Sequence, residues 1–451
     1  MSMYSLRYFY YSLCGSDTLT FRGLTEYVIT TGDQDPSKLY HWYFQWPFFF
    51  ILNQIANSIT GLEIIYFEFV LFAILGVLYV ASLYVYASRF SKDGSYIAII
   101  AYFIIMYWFL NYQFAPFSLA MGLLYTMFML ETHTLRKREM TLATMILFTS
   151  VTFVHPFAAV FFIIYTLAMY ITSRNKNYIR LFLFTLAVYL TVSIFFTNLF
   201  FSNVVKQLTV IHSYEYTTLV GRTFGGRVAP APLIDAIAQT FSRVIVLSTG
   251  VIAGLGFFFL LLKRKLRHVD FAIFISTTLF AVAATILPIM GRRGFFALAI
   301  PISLGATYFL KSKFERHFKC LFLVLVIFFS SIPLTESFSD GQIFFQTKDQ
   351  YQCTNFAISY YNWTRQSSIL SHFRLMLYLQ AKTASDVSFG HDLSSNFPGD
   401  VRNYDFILYT VGLGKSYLRH NYSTTELFRE SRYNRVFDSK YSYIVIKASD
   451  S

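Results

Sequence analysis

The feature that most constrains this chain is a succession of about ten apolar segments between residues 62 and 335. They cover approximately 62–88, 95–112, 114–131, 140–155, 156–173, 179–201, 243–262, 269–290, 294–310 and 318–335. Most have the length a helix needs to cross a hydrocarbon layer of about 30 Å. The second and third are joined through Asn111-Tyr112-Gln113-Phe114-Ala115-Pro116 and the fourth and fifth through His155-Pro156. In both, proline can open a helix directly after a tight turn. Only 14% of the residues are charged, against roughly 25% in an average soluble protein. A soluble globule is therefore excluded, and 52 Phe and 34 Tyr beside 10 Pro and 21 Gly exclude disordered and collagen-like classes. The expected fold is an α-helical polytopic membrane protein.

A net charge of +13 on so apolar a chain needs an explanation. Residues 1–61 carry Arg7, Arg22 and Lys38 against Asp17, Glu26, Asp33 and Asp35, and residues 336–451 are close to balanced, with 12 basic and 11 acidic side chains. The excess lies in residues 62–335, where 22 basic residues face 9 acidic ones. Sixteen of the 22 fall in alternate connections: Arg89/Lys92, Arg136-Lys137-Arg138, Arg174/Lys176/Arg180, Lys263-Arg264-Lys265/Arg267 and Lys311/Lys313/Arg316/Lys319. By the positive-inside rule these connections are cytoplasmic. Residues 1–61, loop 202–242, the Arg292-Arg293 turn and everything after 335 then lie outside. Nucleic acid is not needed to account for the charge; the implied partner is a lipid bilayer, in a multi-pass plasma-membrane arrangement.

Three regions follow: an extracytoplasmic segment 1–61, a membrane region 62–335 and an extracytoplasmic domain 336–451. Met3 to Cys14 is too short, and with Arg7 too polar, to deliver the first segment outside. It also lacks the apolar core and cleavage site of a signal peptide. A first transmembrane helix is accordingly expected ahead of this segment, missing through a misassigned start, a split gene or natural loss. Cys14, Cys320 and Cys353 form no disulfide framework and no metal spacing, although Cys14 and Cys353 share a side. The sequons Asn362-Trp363-Thr364 and Asn421-Tyr422-Ser423 both fall after 335, as external exposure requires. In that last region Ser368-Ile369-Leu370, Tyr404 to Tyr409, Asn434 to Ser439 and Tyr441 to Lys447 read as strands and Phe373 to Ala381 as a helix. A small α/β or α+β domain is expected, packing onto or capping the outer membrane face.

The first external segment concentrates polar groups against the membrane. It reads Gly15-Ser16-Asp17-Thr18-Leu19-Thr20-Phe21-Arg22-Gly23, then Glu26 to Pro36 with Gly32-Asp33-Gln34-Asp35-Pro36, then Tyr40-His41-Trp42-Tyr43-Phe44-Gln45-Trp46-Pro47 before the apolar Phe48 to Leu52. Asp17, Arg22 and Glu26 recur at roughly helical spacing, which makes Glu26 a solvated helix position or an ion partner of Arg22. The arrangement resembles the first extracytoplasmic loop of the glycosyltransferase C superfamily. There an acidic residue follows the first transmembrane helix, a short helix leads to a Gly-containing turn, and a Tyr-rich, Trp-Pro stretch precedes the second helix. The resemblance implies a polyprenyl-phosphate-linked sugar donor, an active site outside, a long external loop corresponding to 202–242, and a variable external C-terminal domain. The chain departs from the pattern in having Thr18 after Asp17 where a second acid is usual.

The residues supply chemistry of that kind. Sugar transfer from a lipid phosphate needs a carboxylate to deprotonate the acceptor hydroxyl and cations to stabilise the departing phosphate. Asp17 is the candidate catalytic base; the competing reading of Ser-Asp-Thr is a helix cap. Asp33 and Asp35 are candidates to assist or to hold a divalent ion such as Mg or Mn through hard oxygen ligands, against a plain turn reading. No other cofactor is specified. Arg292 and Arg293, flanked by Gly291 and Gly294, suit a bidentate grip on phosphate, and Arg222 and Arg227 can add to it; headgroup snorkelling and loop solvation are the alternatives. His41 and His155 are candidate substrate contacts, against an interfacial belt for His41 and a hydrogen-bonding role for His155. The expectation is an inverting glycosyltransferase acting on a lipid, glycan or protein acceptor. The alternative is a transporter or a non-catalytic, degenerate scaffold.

Overall fold

Two helices in the first half of the chain begin where one side chain settles the first turn. His155, in extended conformation, accepts the Phe157 backbone N–H through Nδ1 at 3.3 Å, and Pro156 follows it into the helix. Asn175 accepts the Asn177 N–H through Oδ1 at 3.0 Å, which opens the next helix at Lys176, three residues ahead of the apolar run that begins at 179. Between the two, Arg174 in the left-handed region (φ 53°) closes the preceding helix with its N–H on the Tyr170 carbonyl.

The computed structural model describes residues 12–13, 18–32, 42–88, 99, 114–134, 138–196, 258, 267–286, 345–346, 356, 359, 368–370, 388–389, 406–410, 433–438 and 442–447. Its helices are α1 (Thr18–Thr31), α2 (Phe48–Thr60), α3 (Ile64–Ser88), α4 (Pro116–Thr134), α5 (Arg138–Val154), α6 (Pro156–Ser173), α7 (Lys176–Phe196) and α8 (His268–Ile286), with a 3-10 turn at Trp42–Gln45. The helices α3 to α8 correspond to six of the expected apolar segments. Segments 95–112, 243–262, 294–310 and 318–335, loop 202–242 and the expected helix at 373–381 lie outside the described residues, apart from single helical positions at Ile99 and Phe258.

Three stretches are long and apolar enough to cross a membrane: Tyr66–Tyr86, Pro156–Ser173 and Lys176–Phe196. Their surfaces agree with that. On α3, Tyr66, Val70, Ile74 and Val77 are exposed at helical spacing, and on α7 so are Leu183, Leu190, Ile194, Phe195 and Phe196. A soluble monomer rarely exposes apolar surface this continuous. Hydroxyls in α4, α5 and α6 are turned back on their own backbone: Thr126, Thr149, Thr152 and Thr172 each donate to the carbonyl four residues earlier. That satisfies them without water, as a hydrocarbon setting demands.

Packing runs α3 on α4, α4 on α5, α5 on α6 and α7, and α6 on both α7 and α8. The approach of α3 to α4 depends on Gly122, where an added Cβ would lie 2.7 Å from Leu75 Cδ2. Beside it, the Tyr79 hydroxyl donates to the Ser118 carbonyl at 2.8 Å, and the Tyr79 and Tyr125 rings meet edge to face at 5.0 Å. Aromatic pairs recur in the core, with Phe128 against Phe161 and Tyr165, and Phe161 against Phe280.

In the last third, a five-stranded mixed sheet has the order β4-β3-β5-β7-β6. Its strands are β3 (Ser368–Leu370), β4 (Ser388–Phe389), β5 (Phe406–Thr410), β6 (Tyr433–Asp438) and β7 (Ser442–Lys447). The β3 strand pairs in parallel with β4 and β5, whereas β5–β7 and β6–β7 are antiparallel, with a register shift between Arg435 and Phe437. Four of these strands coincide with the stretches expected from alternating and β-branched patterns. A separate pair joins two stretches far apart in the sequence: β1 (Ser12–Leu13) lies antiparallel to β2 (Phe345–Gln346), with Ser12 opposite Gln346.

Candidate functional site at one end of the helices

Helix α1, in the first segment, is held by burying a charge. Arg22 is 1% exposed, and its Nη1 donates to Glu68 Oε1 at 3.5 Å; the Glu68 side chain is 0% exposed. Spacing along the helix favours Glu26 as the partner of Arg22, yet the ion pair found reaches 46 positions along the chain to the first turns of α3. Two charges taken out of water are tolerable only when they face each other. One pair therefore locks α1 to the beginning of a helix long and apolar enough to cross a membrane. Beneath it, Thr25 returns its hydroxyl hydrogen bond to the Phe21 carbonyl at 2.7 Å.

The aromatic stretch that follows supplies the second clamp. Tyr43 meets Phe21 of α1 edge to face at 4.7 Å and Trp46 at 6.3 Å, and Trp46 is 1% exposed. On its other side Tyr43 lies 6.0 Å from the His155 ring, which also contacts Phe117 at 5.0 Å and Phe157 at 5.4 Å. Phe49 of α2 reaches Phe114, the residue two before α4, at 5.0 Å. These contacts gather the start of α3, the start of α4, the α5–α6 junction, α1, the 3-10 turn and α2 at one end of the helices. Phe153 and Phe196 meet there too, bringing in the end of α7.

The opposite end has its own fastening. Tyr86, near the end of α3, donates its hydroxyl to Asp270 Oδ1 at 2.6 Å. Asp270 Oδ2 accepts the Arg267 backbone N–H at 3.0 Å, the third-position half of a capping box, and lies 3.9 Å from the Arg267 guanidinium. Asp270 is 2% exposed, so α3 and α8 are joined by a buried carboxylate. The connections that continue from this end carry Arg89 and Lys92 after α3 and Lys263 to Arg267 before α8; those at the first end, 111–116 and 155–156, carry no Lys or Arg. The alternation of basic residues thus follows the two ends of the helices.

Of the candidate site residues, His155 is described. It is 0% exposed, caps α6, and is enclosed by Tyr43, Phe117 and Phe157. Asp17, Asp33, Asp35, His41, Arg222, Arg227, Arg292 and Arg293 lie outside the described residues. Asp17 directly precedes Thr18, the first residue of α1, in the sequence. The β1–β2 pair brings Ser12 and Leu13 against Phe345 and Gln346, so a stretch shortly before Asp17 adjoins the stretch after the last apolar segment. Among the described residues, no group of three or more His, Cys, Asp or Glu side chains is arranged to hold a metal ion. The Arg22–Glu68 and Tyr86–Asp270 contacts join residues far apart in sequence, and no spacing rule would have paired them. The signal that was available is weaker: an acid within an apolar segment needs a partner.

No protein-family model matches the chain, and no curated protein matches it.

Proposed function

We propose that this chain is a membrane glycosyltransferase that moves a sugar from a polyprenyl-phosphate donor to a lipid, glycan or protein acceptor outside the plasma membrane. In this reading about ten helices cross the bilayer, the end that bears α1 and His155 faces outward, and residues 336–451 form an extracytoplasmic domain. The observation that carries it is the Arg22–Glu68 pair, which fixes the helix directly following Asp17 to the start of α3. A catalytic acid on a free loop would have no defined depth; one that adjoins a doubly clamped helix does.

The chemistry is a single displacement. The acceptor oxygen attacks the anomeric carbon, the bond from that carbon to the phosphate oxygen breaks with inversion, and polyprenyl phosphate leaves. Asp17 takes the acceptor's proton as general base. Arg292 and Arg293, aided by Arg222 and Arg227, neutralise the charge gathering on the departing phosphate. Asp33 and Asp35 are the groups that would hold a divalent ion, which would add to that neutralisation. His41 and His155 belong to the wall of the site, His155 by supporting Tyr43.

The test is sugar transfer in proteoliposomes supplied with radiolabelled polyprenyl-phosphate sugars, comparing the wild-type protein with Asp17→Asn. Transfer by the wild type and its loss in the variant, with equal membrane insertion, is the expected result. Equal transfer by both proteins would remove Asp17 from the mechanism.

A further inference from the structure

Helix α2 has three faces, and one of them is unexplained by the packing described so far. Phe49, Phe50 and Asn53 are buried against the protein, and the Asn53 amide donates to the Phe49 carbonyl at 2.7 Å. Leu52, Ile55 and Ile59, at spacings of three and four, share a second face and are 39%, 51% and 79% exposed. Ser58 is exposed on a third face, about 100° round from Ile59. From Trp42 to Leu62 the chain contains no Asp, Glu, Lys, Arg or His. At 13 residues α2 is about 20 Å long, too short to span a bilayer.

We infer that α2 is an interfacial helix, seated in the boundary layer of the membrane with Leu52, Ile55 and Ile59 among lipid acyl chains. The occupant is lipid because the apolar surface continues along the chain into a lipid-facing helix. Gly61, at φ 65°, ends α2 with its N–H on the Asn57 carbonyl, and the Asn57 amide donates to the Leu62 carbonyl at 2.8 Å. The turn is thus satisfied by the chain itself and leads straight into α3. Leu62 is 43% exposed, and Tyr66, Val70, Ile74 and Val77 follow on the outer surface of the membrane-crossing stretch Tyr66–Tyr86. A helix with one face on protein, one on hydrocarbon and a polar edge at Ser58 satisfies all three surroundings only at the interface. Because α1 packs on α2, α2 sets the depth of α1 relative to the bilayer surface. The inference rests on the membrane reading and is independent of any transfer chemistry.

The experiment uses the full-length protein with Cys14, Cys320 and Cys353 replaced by Ala, carrying a single cysteine at Leu52, Ile55, Ile59, Ser58 or Val77 and labelled with an environment-sensitive fluorophore. It is reconstituted in phosphatidylcholine vesicles containing lipids spin-labelled near the headgroup or deep in the acyl chain. Labels at 52, 55 and 59 should be quenched more by the shallow spin label than by the deep one and escape aqueous iodide. The label at Val77 should show the deep pattern, and the label at Ser58 should be reached by iodide. Three outcomes overturn the inference: iodide quenching at 52, 55 and 59 makes the face water-exposed, a deep pattern there makes α2 part of a spanning segment, and protection from all three quenchers means protein covers it.

Discussion

Breaking the Arg22–Glu68 pair gives the sharpest test of how the first segment is held. At 3.5 Å, and with an effective dielectric constant of about 20, two unit charges attract by about 5 kcal/mol. The cost of taking both from water offsets most of this, so the pair as a whole adds little stability. Removing one partner is different, because it takes away the counter-charge that the other, buried side chain faces across the two helices. Glu68→Gln keeps the shape and deletes the charge, and it should destabilise the protein by about 3 kcal/mol, the lower end of the range for buried pairs because the Gln carbonyl can still accept from Arg22. Arg22→Met should cost a similar amount. The double variant, with both members of the pair removed, should lie within about 1 kcal/mol of wild type, giving a coupling free energy of several kcal/mol. The measurement is a double-mutant cycle from reversible denaturant unfolding in mixed micelles, followed by helical circular dichroism. A Glu68→Gln cost below about 1 kcal/mol, the worth of a solvated surface pair, would refute the argument, as would costs that simply add in the double variant.

Other consequences are as specific. Gly122→Val should cost roughly 1–3 kcal/mol by forcing Leu75 out of its place, and Leu75→Ala in the same chain should recover part of the loss in the same unfolding assay, because the clash at 2.7 Å is with that side chain's end. Asp270→Asn should destabilise by about 1–3 kcal/mol, since it weakens both the Tyr86 hydrogen bond and the α8 cap, and Tyr86→Phe should show less than Asp270→Asn because the cap survives. Replacing Arg292 and Arg293 by Ala should lower the rate of sugar transfer at saturating donor and raise the donor KM, while leaving insertion unchanged; an unaltered transfer rate would assign them to headgroup contact alone.

The apolar helices were legible in the sequence because each declares itself by its own length and polarity, independently of its neighbours. The described helices from α3 to α8 coincide with the apolar runs to within a few residues, and the opening of α7 three residues ahead of its run has a local cause in the Asn175 cap. The alternation of basic residues likewise anticipated which helix ends meet, since Tyr86 and Asp270 join two connections rich in Lys and Arg. The clamp on α1 was not legible. Helical spacing favours Glu26, whereas tertiary packing brings Glu68 to Arg22. His155 was visible as a polar residue before a proline at a helix junction, but its enclosure by Tyr43 and Phe117 depends on the path of the 3-10 turn at Trp42–Gln45. The candidate base Asp17 stands on its sequence setting and on the clamped helix that follows it.

That role for Asp17 is the centre of the account, and one comparison reaches it directly. Purified wild-type protein and Asp17→Asn, reconstituted side by side with a panel of polyprenyl-phosphate sugars and membrane lipid acceptors, should differ by loss of all detectable transfer in the variant. Both should show the same unfolding midpoint, so that the loss reads as chemistry. No transfer by the wild type from any polyprenyl-phosphate sugar, or undiminished transfer by Asp17→Asn, would contradict it.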